Sequence, residues 1–263
     1  MYPYLFEIGP FTVASFGLMV ATGFLVALRV LGRELQSSDI AEPSEVAGMV
    51  INTALIGGLI GSKGYFLFIE AYEPLFSDQW FDLLSFENLG YGLTWYGGFI
   101  VATAAVLWRL KSKQLPVLVV ADGAVIALAV GYAIGRIGCQ LAGDGDYGVP
   151  TNLPWGMAYP DGVVPTTEKV HPAPVYETLS HLLIFAILRM SRKMAWVPGQ
   201  LVAVYFVLAG IARFGVESIR LNPRVAFGLS EAQIISVLLI LVGLIWGGML
   251  FRQPRRSIGE VSK

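Results

Sequence analysis

Apolar residues along the 263-residue chain gather into long runs separated by short polar stretches. A membrane-spanning helix needs roughly 20 mostly apolar residues, because every backbone N–H and C=O must be satisfied inside lipid. Seven runs qualify, near residues 11–31, 46–69, 93–109, 117–139, 175–190, 199–219 and 231–251, the fifth being short. The pattern predicts an all-α integral membrane protein with seven transmembrane helices, a single polytopic domain over residues 1–263 without internal repeats. Two polar interruptions stand out as external segments. Residues 70–92 set Trp80, Phe81 and Phe86 among acidic residues, as expected for a short amphipathic element along the interface. Residues 143–174, rich in Gly and Pro, form the largest external region, where an outside ligand first meets the protein.

Basic residues set the orientation. Arg29 and Arg33 follow the first run, Arg109, Lys111 and Lys113 the third, Arg189, Arg192 and Lys193 the fifth, and Arg252, Arg255, Arg256 and Lys263 the seventh. The opposite loops carry mainly Lys169 and Arg224, and residues 70–87 contain no Lys or Arg. By the positive-inside rule the N-terminus is outside and the C-terminus cytoplasmic. No basic residue precedes Arg29, which argues against a cleaved signal peptide and for retention of the first helix.

Composition narrows the function. With 55% hydrophobic and 14% charged residues, the chain falls far from soluble domains, which carry about 25% charge. Eighteen Lys and Arg against nineteen Asp and Glu leave a net charge of −1, so there is no basic field for a nucleic-acid backbone. A single cysteine, Cys139, excludes an internal disulfide or a CxxC pair, and two histidines, His171 and His181, are too few for a typical zinc site. The composition leaves an integral membrane protein with its chemistry carried by a few polar residues.

Four basic residues remain inside or near the spans: Lys63, Arg136, Arg213 and Arg220. A basic group at the bilayer centre costs about 2.5 to 3.5 kcal/mol, so each needs a partner, a ligand or a route to the headgroups. Snorkelling to the headgroups stays open for Arg220, near a helix end. Alternating helix direction puts Lys63, Arg136 and Arg213 in the outer part of their spans, and Tyr96, Tyr176 and Glu177 near the same side. Arg213, Glu217 and Arg220, spaced i, i+4 and i+7, share one helix face; Glu217 neutralises one guanidinium and one positive charge is left for a ligand. Gly57, Gly61 and Gly64, and Gly131, Gly135 and Gly138, are small residues that let backbones or a headgroup come close. Cations in an outer-leaflet cavity suit an anion on an apolar body, and a phospholipid is one; Arg serves phosphate better than Lys because its planar fork donates two parallel hydrogen bonds. On the residues alone, the protein handles lipid or translocates an anion.

Several motifs carry a closer resemblance. Gly135-Arg136-Ile137-Gly138-Cys139, then Gly143-Asp144-Gly145-Asp146-Tyr147-Gly148 and Leu153-Pro154-Trp155-Gly156, resemble the signature region of the prolipoprotein diacylglyceryl transferases. In matching order stand Ser15-Phe16-Gly17-Leu18-Met19, Gly61-Ser62-Lys63-Gly64-Tyr65, Tyr96-Gly97-Gly98, Asp122, the HPxxxYE segment from His171 to Glu177, and the span from Arg213 to Arg220. The resemblance implies transfer of the diacylglyceryl group of phosphatidylglycerol to the lipobox cysteine thiol of preprolipoproteins, in the bacterial cytoplasmic (inner) membrane. Its partners are that lipid, the lipobox segment and the bilayer, and it needs no cofactor. It implies catalytic roles for Arg136, Arg213, Glu217 and Tyr96. Substrate binding falls to Arg136, Arg220, Lys63, Gly97, Gly98, Gly143, Asp144, Gly148, Tyr176 and Glu177. Catalysis then consists of stabilising charge on the departing phosphate while the thiol, with a reference pKa near 8.5, loses its proton.

The chain departs from the family pattern at several positions. The family's HGG histidine is Tyr96, its GRxGN asparagine is Cys139, its first-helix tyrosine is Phe16, and one extra residue stands before Gly148. Tyrosine, with a reference pKa near 10, is a poor base but a good hydrogen-bond donor to phosphate. Cys139 lies three residues after Arg136 and reads as a pocket-lining residue, and His171 as a turn residue or proton relay. The departures keep two alternatives in view: a divergent paralogue using another acceptor or phospholipid, and a lipid-binding or transport protein that makes no bond.

Overall fold

Continuous apolar sequence without internal proline winds into helix wherever no water competes for the backbone. The computed structural model describes residues 1–8, 11–70, 94–192, 194 and 197–251. Among them the chain forms seven long helices, which we number α1 (Ser15–Gln36), α2 (Pro43–Tyr65), α3 (Trp95–Ser112), α4 (Val117–Ala142), α5 (Ala173–Ser191), α6 (Gln200–Glu217) and α7 (Glu231–Phe251). A π-helical turn, Phe66–Glu70, continues α2. Five of the seven, α1, α2, α4, α6 and α7, are long and apolar enough to cross a membrane. The outward faces agree: Leu238, Leu241, Leu244 and Ile245 of α7 and Ile56, Leu59 and Ile60 of α2 are exposed apolar side chains.

The architecture is all-α as expected, with short hairpins beside the helices. Three two-stranded antiparallel sheets accompany the helices: β1 (Tyr4–Ile8) with β2 (Phe11–Ala14), β3 (Met157–Tyr159) with β4 (Thr166–Val170), and β5 (Arg224–Ala226) with β6 (Leu229–Ser230). The first absorbs residues 11–14, so the first helix starts at Ser15 rather than residue 11. Apolar runs of four or five residues carry no periodicity that separates strand from helix, which is why the run had read as continuous. The sixth helix also ends earlier than residue 219. After Glu217 the N–H groups of Ser218, Ile219 and Arg220 bond three residues back, to Gly215, Val216 and Glu217, and this tighter winding closes the helix before Pro223. The segment 70–92 and the basic residues from Arg252 onward fall outside the described residues, apart from Glu70.

The described chain divides into two compact units, Met1–Ala41 with Leu118–Lys263, and Glu42–Val117. In the first, Val125, Ile126 and Ala129 of α4 pack with Ile184 and Leu188 of α5 and Leu201 and Val202 of α6 into one buried cluster. Small residues set the closest approaches: a side chain at Gly23 would meet the Gly131 carbonyl at 2.9 Å, joining α1 to α4, and one at Gly243 would meet the Ala203 carbonyl at 2.7 Å, joining α7 to α6. One end of this unit is held by ion pairs to a buried carboxylate, Glu34 of α1 facing the half-exposed Arg189 at 2.8 Å and Arg192 at 3.4 Å. At that same level Asp122 accepts hydrogen bonds from the Gly199 and Val202 N–H groups, at 2.7 and 3.1 Å, capping α6 from a neighbouring helix. In the second unit α2 and α3 pack through Gly57, Gly61, Gly97 and Gly98.

Candidate active site

Arginine and glutamate residues meet where three helices of the first unit end. Arg136 stands near the C-terminus of α4, Arg213 near that of α6, and Glu177 in the first turns of α5. Each charge has the sign that its helix terminus favours, cations at C-termini and an anion at an N-terminus. Glu177 is the hub. Its carboxylate, 1% exposed, pairs with Arg136 Nε at 2.8 Å and Arg213 Nη1 at 2.6 Å, and accepts the Tyr132 hydroxyl at 3.0 Å. Tyr132 in turn accepts Arg136 Nε at 3.0 Å, fixing the guanidinium plane from one helical turn away.

Glu217 forms the second anchor. It pairs with Arg213 Nη2 at 2.9 Å and stands 3.8 Å from Arg220 Nε, while Ser230 Oγ and Asn222 Nδ2 donate to its other oxygen at 2.8 and 2.7 Å. Arg220 lies beyond the end of α6, so it reaches the cluster from the following turn rather than from the shared helix face expected from i+7 spacing. Asp146 completes the group: one carboxylate oxygen is ion-paired with Arg136 and the other with Arg220. Three guanidiniums thus face three carboxylates, Asp146, Glu177 and Glu217. The expectation of one uncompensated positive charge is corrected accordingly, because sequence spacing along one helix does not register carboxylates delivered by α5 and by the loop after α4.

That loop is built by glycine. Gly143, at φ +61°, stops α4 in the left-handed conformation, its N–H bonding the Cys139 carbonyl at 2.9 Å. Gly148 donates to the His171 carbonyl at 2.8 Å, and a side chain there would come within 2.5 Å of the Ile219 carbonyl, so only glycine lets the loop lie against both neighbouring segments. Asp144, singled out from the sequence, makes no ion pair among the described residues; its Oδ1 accepts the Asp146 N–H at 3.4 Å. Burial, followed by the negative charge of Asp146, raises the Asp144 carboxyl above its ordinary pKa. Burial alone would raise Asp146 too, yet Arg136 and Arg220 hold it below the usual range.

Tyr176 accepts Trp155 Nε1 at 2.8 Å and stands 3.2 Å from His171 Nδ1, which ties the segment between α4 and α5 to the start of α5. Cys139 Sγ receives Arg136 Nη1 at 3.3 Å. The ligand-type atoms of Cys139, Asp144 and Asp146 lie within 4.8 Å of one another, but the Arg136 guanidinium already sits against two of them, a position a metal cation would contest with another cation. Lys63, Tyr96, Gly97 and Gly98 belong to the second unit. There Lys63 is buried with Nζ 5.4 Å from the Phe66 ring centroid, and Gly97 and Gly98 lie where α3 meets Gly61 and Ser62 of α2. Two residues of the cluster escaped the sequence reading. Tyr132 was signalled by its i−4 spacing from Arg136, and Asp146 by counting back from Gly148 across the extra loop residue.

Residues 3–248 match the family model of the prolipoprotein diacylglyceryl transferases. The chain belongs to this family. A phosphatidylglycerol–prolipoprotein diacylglyceryl transferase of Clostridium tetani is 31% identical over 247 residues, covering 93% of this chain and 96% of the relative. Similarly named proteins of Finegoldia magna, 31% identical over 241 residues (91% and 92% covered), and Thermotoga petrophila, 30% over 266 residues (97% and 87%), agree over nearly the same span. Within this transferase family frame, the GRxG, HPxxxYE and Arg-Glu-Arg segments, far apart in sequence, contribute Arg136, Glu177, Arg213, Glu217 and Arg220 to one cluster.

Proposed function

We propose that the protein transfers the diacylglyceryl group of phosphatidylglycerol to the lipobox cysteine of preprolipoproteins, the activity printed in the names of its relatives. The observation that carries the reading is the convergence of Arg136, Arg213 and Arg220 on shared carboxylates at one end of α4, α5 and α6. Partly buried guanidiniums held in fixed planes are preorganised donors for a phosphate, and they act most strongly when charge gathers on the departing oxygen. In the step itself the cysteine sulfur bonds the terminal glyceryl carbon, the bond from that carbon to the phosphate oxygen breaks, and the electron pair stays on the oxygen. In the overall balance the thiol proton leaves with glycerol phosphate. Arg136, Arg213 and Arg220 together form the headgroup phosphate clamp, and Glu177 and Glu217 orient the guanidiniums. Lys63, Tyr96, Gly97 and Gly98 enter the proposal on the sequence resemblance alone, as do Gly143, Asp144 and Gly148 as headgroup-pocket residues.

The proposal includes seven spans in the bacterial cytoplasmic (inner) membrane, with the N-terminus outside and the C-terminus inside. This orientation is supported by the basic residues at the ends of α1, α3 and α5 and places the arginine cluster toward the outer leaflet. Complementation tests the activity: expression in a bacterium depleted of its own transferase should restore growth and lipoprotein acylation, and Arg136→Ala should not. Stable expression of both proteins without restoration would instead favour another acceptor, a reading that Tyr96 in the place of the family histidine supports.

A further inference from the structure

The three carboxylates of the cluster are not held alike. Glu177 and Glu217 are sealed, 1% and 0% exposed at the side chain, and each has neutral hydrogen-bond donors besides its arginines: Tyr132 for Glu177, and Ser230 and Asn222 for Glu217. Asp146 is 27% exposed, and among the described residues its two carboxylate oxygens are ion-paired only with Arg136 and Arg220, one oxygen to each guanidinium. It stands on a loop with glycine at 143 and 145, both at positive φ, rather than on a helix. A planar anion with two oxygens facing two guanidiniums presents the same hydrogen-bond pattern as two non-bridging oxygens of a phosphate ester.

Building on the phosphate-clamp reading, we propose that Asp146 is an internal placeholder anion: its carboxylate occupies the phosphate position between Arg136 and Arg220 and is displaced when the headgroup binds. The charge count supports the exchange. Counting the ion-paired groups alone, removal of Asp146 leaves three guanidiniums and two carboxylates, a charge of +1 that one phosphodiester neutralises as Asp146 did; Asp144, within 4.8 Å of the Asp146 carboxylate, forms an ion pair with none of the three arginines. The exchange breaks only contacts that the phosphate remakes, whereas displacing Glu177 or Glu217 would also strand their neutral donors. The placeholder keeps the partly buried cations compensated between turnovers. It also lowers the apparent affinity for every phosphate ester by the fraction of time the site is closed, which favours ejection of glycerol phosphate after transfer.

The test is a binding measurement on the full-length protein in detergent, comparing wild type with Asp146→Asn and Asp146→Ala, by calorimetry with two probes. One probe is a short-chain phosphatidylglycerol, a diester, and the other is glycerol phosphate, a monoester. The variants should bind at least one probe tenfold or more tightly than wild type. A gain for the lipid alone assigns the placeholder to substrate entry, and a gain for glycerol phosphate alone assigns it to product release. Equal or weaker binding of both probes by folded variants would overturn the inference while leaving the clamp intact, since a residue that merely supported the arginines would lose affinity when removed. Loss of folding in both variants would make the carboxylate structural and overturn it too. No binding by wild type or variants would count against the clamp itself, and the placeholder with it.

Discussion

Glu177 carries the largest structural burden of any single side chain in the cluster, because it sits between Arg136 and Arg213 with its carboxylate sealed from solvent. Breaking a buried pair by removing one partner costs about 3 to 5 kcal/mol, since the remaining charge stays uncompensated. Glu177→Gln should therefore lower the thermal midpoint of the purified protein clearly, while a control at the exposed Lys169 of β4, Lys169→Gln, should leave it in place. For Arg136 the prediction concerns rate more than stability. Arg136→Lys keeps the charge but loses the fork that reaches Glu177, Tyr132 and Asp146 at once, so transfer should fall at least tenfold with expression maintained. Wild-type rates in that variant would remove bidentate geometry from the mechanism. Cys139→Ser, which keeps an acceptor for Arg136 Nη1, should retain activity; complete loss with normal expression would point to chemistry on the thiol.

At the scale of elements, helix ends do the positioning. Asp122 caps α6 across a gap of 77 residues, and α6 carries Arg213 and Glu217 at its other end. Removing a cap costs about 1 kcal/mol, so Asp122→Ala should lower thermal stability by that order while changing the affinity for phosphatidylglycerol little. A large fall in lipid affinity would show that register errors at the start of α6 propagate along it. The helices themselves were legible as apolar runs because lipid-compatible backbone must be helical, and the observed bounds fall within a few residues of the expected ones for most of them. The β1–β2 hairpin and the early end of α6 were not, since a four-residue strand and a tightened last turn leave no periodic signature in sequence. The cluster was legible in part. Arg136, Arg213, Glu217 and Arg220 stood out as charges in apolar runs, whereas Asp146 lay in a polar loop where acidic residues are ordinary, and its pairing depends on the path of the chain after Gly143.

At the scale of the whole molecule, the proposed orientation makes the chemistry one-sided. In the first unit, Glu34 with Arg189 and Arg192 marks one end of the helices and the Arg136 cluster the other, so the two charged layers are separated by the apolar packing of Val125, Ile126, Leu188 and Leu201. With the positive end cytoplasmic, a fluorescent-protein fusion at the C-terminus should light up and a single cysteine placed at Lys169, in a background lacking Cys139, should react with a membrane-impermeant maleimide in intact spheroplasts. The reverse pattern would put the cluster at the inner leaflet and separate it from exported lipoprotein precursors. Only the complete pair of units contains every residue that the family resemblance assigns, so isolated halves should show no transfer.

The most direct measurement is transfer by the purified full-length protein in detergent, with phosphatidylglycerol labelled in its acyl chains and a lipobox peptide with or without its cysteine. The account predicts label on the cysteine-bearing peptide alone, release of glycerol phosphate in equal amount, and loss of both with Arg136→Ala. Undiminished transfer by Arg136→Ala, or no label on the peptide while a Clostridium tetani relative is active in the same assay, would contradict it.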